Sequence, residues 1–136
     1  MQQKNKQTKN YFAYAIYSVI FTSLLFIMFG SNGWGPSAAN EQAIGEISRW
    51  CERVSGGFFR EPVNTLGNLG FVAAGLFMFY KITQDATNNR NPLFGSFKIA
   101  LLYASASTFL GPGSMAMHGT HTSFGAWLDN VSMISY

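Results

Sequence analysis

The chain has 136 residues, of which 48% are hydrophobic and 16% aromatic, while only 11% are charged. Soluble globular domains carry about 25% charged residues, so this composition excludes a disordered chain, a disulfide-stapled miniprotein and a soluble nucleic-acid binder. The net charge of +3 comes from basic residues that lie near the ends of apolar runs. Lys and Arg in such positions orient a membrane protein.

The apolar runs predict membrane crossings. A hydrocarbon core of about 30 Å takes about 20 helical residues, and the stretches 11–29, 62–80 and 99–117 contain no charged residue. A fourth run opens near Ser123 and reaches Tyr136, at about two thirds of the length of a crossing. We therefore expect an all-α polytopic transmembrane bundle of about four helices, which belong to a larger bundle.

The basic residues predict the orientation of this bundle. Lysines are concentrated in residues 1–10, which we expect to be mobile, and Lys81, Arg90 and Lys98 flank the loop between the second and third spans. Cytoplasmic segments are enriched in Lys and Arg. We therefore expect a cytoplasmic N-terminus and an outer loop at 30–61.

Two features of the N-terminal half need separate interpretation. The first span is an extra transmembrane helix or signal anchor. A cleaved signal peptide is the alternative, since Ser37 to Ala39 would suit a cleavage site, but the run of nineteen uncharged residues exceeds the about 7 to 15 of such a core. In the outer loop, Glu41 to Val54 carries apolar residues at helical spacing. That spacing predicts a short interfacial helix.

Polar side chains gather toward the outer ends of the spans. Asn64 and Asn68 are one helical turn apart, and Ser114 and His118 lie on one stripe of the third span. Asp129 lies inside the fourth run, where a carboxylate is costly enough to indicate function. The predicted outward-facing pocket holds Asn64, Asn68, Ser114, His118 and Asp129. Glu52 and Glu61 are expected to lie above it.

Most of these residues also have a simpler interpretation. Asn64 and Asn68 would join neighbouring helices by hydrogen bonds, and a serine in a membrane helix commonly bonds the carbonyl one turn back. A single interfacial histidine such as His118 is often a packing residue. His121, three residues further on, is expected to be a turn residue.

Four motifs together carry a resemblance to a known family. They are Trp50-Cys51-Glu52, Glu61-Pro62-Val63-Asn64-Thr65-Leu66-Gly67-Asn68, Gly113-Ser114-Met115-Ala116-Met117-His118, and Trp127-Leu128-Asp129-Asn130 with Met133. With these motifs, the chain from about residue 48 to 136 resembles the alkaline ceramidase family of the CREST membrane hydrolase superfamily. Its members are seven-helix membrane enzymes that hydrolyse the amide of ceramides to sphingoid base and fatty acid.

The resemblance implies a function and a place in the cell. We expect a ceramidase-like hydrolase of a bacterial inner membrane, with a ceramide-like membrane lipid as its substrate. The protein is expected to lie in the lipid bilayer, and the resemblance implies neither a nucleic acid nor a protein partner.

The resemblance also implies roles for particular residues. His118 matches the first of three zinc-binding histidines, Ser114 the serine beside the zinc-bound water, and Asp129 the aspartate that hydrogen-bonds or deprotonates this water. For calcium, Glu52 and Glu61 match acidic ligands and Trp50 matches a backbone-carbonyl ligand. Asn64 and Asn68 are carried over as supporting residues.

The chain departs from the family pattern at three places. The family's other two zinc histidines form a His-x-x-x-His pair, which does not occur here, so we expect the N-terminal portion of an enzyme, inactive by itself. Arg49 and Val54 stand where calcium-binding sites have an acid and an amide, which weakens the expectation of calcium. The span 11–29 precedes the family's core.

Two other classes of function stay open at this point. A related branch of the superfamily uses a similar serine, histidine and aspartate on other lipids, which would make the protein lipase-like. A receptor-like or purely structural membrane module would use the same polar stripe only to pack helices.

Overall fold

The structure of the protein, a computed structural model, describes residues 2–30, 35–38, 41–88 and 97–136. The helices are α1 (Gln2–Gly30), α2 (Pro62–Gly67), α3 (Leu69–Asn88), α4 (Phe97–Thr120) and α5 (Ser123–Ser135). Within these ranges there is no strand beyond two isolated antiparallel bridges, Ser37 with Thr122 and Ile47 with Arg53. The all-α prediction is confirmed. Ala39 of the cleavage site and Arg90 of the basic loop lie outside the described residues.

Two segments are long and apolar enough to cross a membrane. They are Tyr11–Phe29, with a mean hydropathy of 2.1, and Pro62–Gln84, with a mean hydropathy of 1.3. Helix α4 has 24 residues and contains the predicted third crossing at 99–117. Its glycine, serine and threonine residues lower its mean hydropathy, and it is not one of these two segments. The third crossing and the larger bundle therefore stay predictions.

Contacts between aromatic side chains show how the helices run. Tyr11 of α1 lies 6.0 Å from Phe97 at the start of α4, and Phe12 lies 6.1 Å from Tyr80 in α3, between ring centroids. At the opposite end of α1, Phe26 lies 5.7 Å from Phe59, just before α2. Successive long helices α1, α3 and α4 therefore alternate in direction. The end of α1, the start of α2 and the end of α4 lie at one end of the bundle.

Small residues let the helices approach closely. Gly75 of α3 faces the backbone of Thr108 in α4, and Gly113 of α4 faces Ser132 and the carbonyl oxygen of Leu128 in α5. Helices in membranes associate by close packing through such residues, because lipid offers no hydrophobic force to join them. A buried apolar cluster around Phe79 and Ile82 fills the space between α1, α3 and α4.

The prediction of an interfacial helix at Glu41–Val54 is wrong. Residues 41–61 form turns and bends, in which Ser48 N donates to Glu52 O at 2.7 Å and Val54 N to Glu46 O at 2.8 Å. Cys51 has a φ of 62°, in the left-handed region that a right-handed helix excludes. The apolar spacing suited a helix, but the loop instead turns back at Cys51. Its later residues contact the start of α2 and the end of α4.

Helix α1 begins at Gln2, so it includes most of the first ten residues. Their mobility stays a prediction.

Candidate functional site

A buried carboxylate with two histidines lies where α2 begins and α4 ends. Glu61 is 0% exposed, and its two oxygens are bonded to different rings: Oε2 lies 2.7 Å from His118 Nδ1, and Oε1 lies 2.9 Å from His121 Nε2. The side-chain amide of Asn64 donates to Oε2 at 2.8 Å. Both histidines are buried, with exposed fractions of 9% and 1%.

The backbone on either side explains why Glu61 reaches this position. Glu61 N donates to His118 O at 2.9 Å, and Arg60 N donates to Gly119 O at 3.0 Å. The last carbonyls of a helix have no partner within it, so residues 60–61 satisfy the end of α4. Pro62, which has no N–H to lose, then starts α2.

His121 is the turn residue that the sequence predicts, and it is also part of the cluster. It follows Thr120, the last residue of α4, and its φ of 53° is left-handed. A left-handed residue just after a helix reverses the chain. His121 N donates to Met117 O, and His121 O accepts from Ala38 N, each at 2.8 Å. The reversed backbone brings the ring back to Glu61.

The charge of Glu61 follows from its neighbours. Burial opposes ionisation and would raise the pKa of this carboxyl, but hydrogen bonds from the side chains of Asn64, Ser48, His118 and His121 outweigh it and hold the pKa below its usual 4.5. Glu61 is therefore ionised at neutral pH. Since a carboxylate only accepts hydrogen bonds, His118 donates its Nδ1–H and His121 its Nε2–H.

Glu52 stabilises the start of α2. Glu61 holds the N-cap position of this helix but makes no side-chain cap bond, because both of its oxygens face the histidines. The cap comes instead from the loop: Glu52 Oε1 accepts from Val63 N and Oε2 accepts from Asn64 N, both at 2.8 Å. Glu52 thus frees Glu61 for the buried cluster.

We expect Glu52→Ala to lower the free energy of unfolding by about 1 kcal/mol, because the N–H groups of Val63 and Asn64 lose their acceptor. Thermal unfolding in detergent micelles, followed by circular dichroism, measures the change. The matched control is Glu46→Ala, which removes an exposed acid of the same loop that accepts a hydrogen bond from Ala43 N. Equal losses for both variants would contradict the capping role.

The groups that the resemblance assigns to calcium already accept hydrogen bonds from N–H groups of the protein. The Asn64 amide donates both to Glu61 Oε2 at 2.8 Å and to Trp50 O at 3.4 Å, so an N–H group lies between two oxygens that would face a cation. Both oxygens of Glu52 are bonded to backbone N–H groups. Calcium needs six to eight free oxygens, and this donor set does not fit it.

His118 fits a zinc ion as a single ligand. Its Nδ1 is bonded to Glu61, while Nε2 has no hydrogen-bond partner in the described part of the chain. Metal-binding histidines characteristically donate the other ring N–H to a carboxylate, which fixes the tautomer. Trp50 packs edge-on against this ring, at 4.9 Å between centroids. Over the described ranges, no group of three or more His, Cys, Asp or Glu residues is arranged to hold a metal.

The other predicted pocket residues lie on the neighbouring helices. Ser114 is half-buried one turn before His118 on α4, and Asp129 is on α5 with its Oδ1 buried and unbonded among the described residues. Asn68 donates to the backbone oxygen of Asn64 at 2.9 Å. The meeting of Ser114, His118 and Asp129 in one pocket stays a prediction.

The structure thus joins part of the predicted set. It brings His118, Glu61, Asn64 and Trp50 into contact, with Glu61 directly against His118. Sequence reasoning missed His121 as a member of the cluster. The available signal was that the chain's two histidines end one predicted span on the side where the acid Glu61 begins another.

Comparison of the chain with protein families, curated proteins and solved structures finds no match.

Proposed function

We propose that the protein is a membrane-embedded, zinc-dependent amide hydrolase that acts on ceramide-like lipids. The observation that carries the proposal is the buried pair of His118 Nδ1 and Glu61 Oε2 at 2.7 Å. This pair leaves Nε2 of His118 available, as in histidines that bind zinc. The resemblance to the alkaline ceramidase family supplies the reaction and the substrate class.

Each proposed residue has a chemical task in amide hydrolysis. Bound zinc lowers the pKa of water to near 7 and polarises a carbonyl group. His118 would hold the metal through Nε2, and Glu61 would keep its ring in the required tautomer. Asp129, whose Oδ1 is buried without a partner among the described residues, would accept a proton from the attacking water and return it to the leaving nitrogen. Ser114 would donate a hydrogen bond from its hydroxyl group to the amide oxygen as negative charge develops there.

The position of the site suits a lipid substrate. Glu61 directly precedes one segment able to cross a membrane, and the end of the other, at Phe26, packs on Phe59 nearby. An amide carried by two alkyl chains would reach this end of the bundle from the bilayer. The proposed location is a bacterial inner membrane with a cytoplasmic N-terminus, supported by Lys81 and Lys98 lying toward the opposite end from Glu61.

Zinc content and lipid hydrolysis test the proposal together. We expect the natural gene product, purified in detergent, to hold zinc and to release fatty acid from ceramide. His118→Ala should lose both properties, because it removes a metal ligand. Asp129→Asn should keep the zinc and lose at least about 100-fold in rate, as expected for loss of a general base.

Three other results would replace the proposal. Hydrolysis of phospholipids but not ceramide would make the protein lipase-like. Zinc without hydrolysis of either lipid would favour a receptor-like member of the superfamily. A protein that holds no zinc and loses thermal stability in His118→Ala would identify a structural module, in which His118 only packs helices.

A further inference from the structure

We infer that His121 is a positioning residue. It bonds the carboxylate of Glu61 where the resemblance would put a cation, and Glu61 in turn orients His118. The inference rests on the proposed role of His118 as a zinc ligand. The resemblance assigns no role to His121, and it assigns Glu61 to calcium. In the structure, the carboxylate of Glu61 instead bridges two imidazole rings.

The two carboxylate oxygens of Glu61 are bonded to different histidines. Oε2 lies 2.7 Å from His118 Nδ1, and Oε1 lies 2.9 Å from His121 Nε2. With one oxygen free, the carboxylate group could turn about its last bond. The ring of His118 could then present either nitrogen to it. The bond to His121 removes this freedom, because it fixes the second oxygen.

A buried carboxylate also needs compensation for its lost hydration. Glu61 is 0% exposed, and the N–H groups around it belong to His118, His121 and Asn64. The Asn64 amide further occupies the space between Glu61 and the carbonyl of Trp50. These donors satisfy the carboxylate from within the chain, so the cluster holds its shape without calcium.

The backbone of His121 is itself unusual. A φ of 53° is left-handed, and glycine adopts it more readily than histidine. A side chain that is 1% exposed and bonded to Glu61 explains why histidine occupies the position. Strain of this kind persists where the surrounding contacts hold the residue in place.

Nuclear magnetic resonance of the 136-residue chain in micelles tests the inference, because the chain has only two histidines. With ¹⁵N-labelled histidine at about pH 8, where free imidazole is neutral, we expect one ring protonated at Nδ1 (His118) and one at Nε2 (His121). The variant His121→Asn tolerates the left-handed backbone but is too short to reach Glu61. We expect its remaining ring, His118, to become a mixture of tautomers.

The conservative variant is His121→Gln, whose amide nitrogen can reach the place of Nε2. It should restore the Nδ1–H form of His118. A His118 ring that keeps its pure Nδ1–H form in His121→Asn would overturn the inference. So would a wild-type spectrum without this pair of tautomers, a result that needs no variant to fold. Calcium added at millimolar concentration should leave both rings unchanged; a shift would show that the cluster binds it.

Zinc affinity of the natural gene product separates this inference from the proposed function. We expect His121→Asn to weaken zinc binding about 10-fold, the usual effect of losing support around a metal ligand, and His121→Gln to recover most of it. A wild-type protein that binds no zinc but shows the predicted tautomers would refute the proposed function and leave the positioning role standing.

Discussion

Glu61→Ala is expected to lower the free energy of unfolding by about 3 kcal/mol, since it breaks a buried ionic and hydrogen-bonded cluster. The substitution leaves ring N–H groups of His118 and His121, and the amide of Asn64, buried without their acceptor. It also opens a cavity at a fully buried side chain. Thermal or denaturant-induced unfolding in micelles measures the loss.

Two further variants make this result specific. Glu61→Gln keeps the volume and one acceptor oxygen, and should lie between the wild type and Glu61→Ala. Glu41→Gln removes the acid of a more exposed ion pair, with Arg60 at 3.7 Å, and should cost less than about 1 kcal/mol. A Glu61→Ala protein as stable as Glu41→Gln would mean that the cluster does not hold the bundle end together.

The sequence predicted the helices well because their signals are local. Uninterrupted apolar runs set the positions of α1, α3 and α4, and Pro62 marked the start of α2. The break between α2 and α3 at Asn68 was not predicted. The outer loop was mistaken for a helix because apolar residues at helical spacing also occur in irregular loops. There, polar groups form hydrogen bonds with residues farther along the chain, as Glu52 does with the start of α2.

The candidate site shows where sequence reasoning ends. Motifs placed His118 and Glu61 at the same end of two predicted spans, which the structure confirms. Their direct contact joins residues 57 positions apart in the chain. It depends on the backbone of residues 60–61 docking on the last carbonyls of α4, and no local pattern signals such docking. His121 was missed for the same reason, because its role depends on a left-handed turn that brings its ring back to Glu61.

Gly75→Ala is expected to destabilise the bundle by about 2 kcal/mol through overpacking. A Cβ atom at Gly75 would overlap the side-chain oxygen of Thr108 and lie 2.6 Å from its backbone nitrogen. Backbone atoms of α4 cannot move aside as a flexible side chain can. Helices α3 and α4 would therefore have to separate, and the shift would reach the start of α2 and the end of α4, where Glu61 is bonded to His118.

The same helix provides the control for this prediction. Gly70, also in α3, has no atom of the described residues within 4 Å of the position that a Cβ atom would take. Gly70→Ala should therefore leave stability unchanged or raise it by up to about 1 kcal/mol, since alanine favours a helix more than glycine. Thermal unfolding of both variants in the same micelles compares them. If Gly75→Ala unfolds no earlier than Gly70→Ala, the close contact of α3 with α4 does not exist in the folded protein.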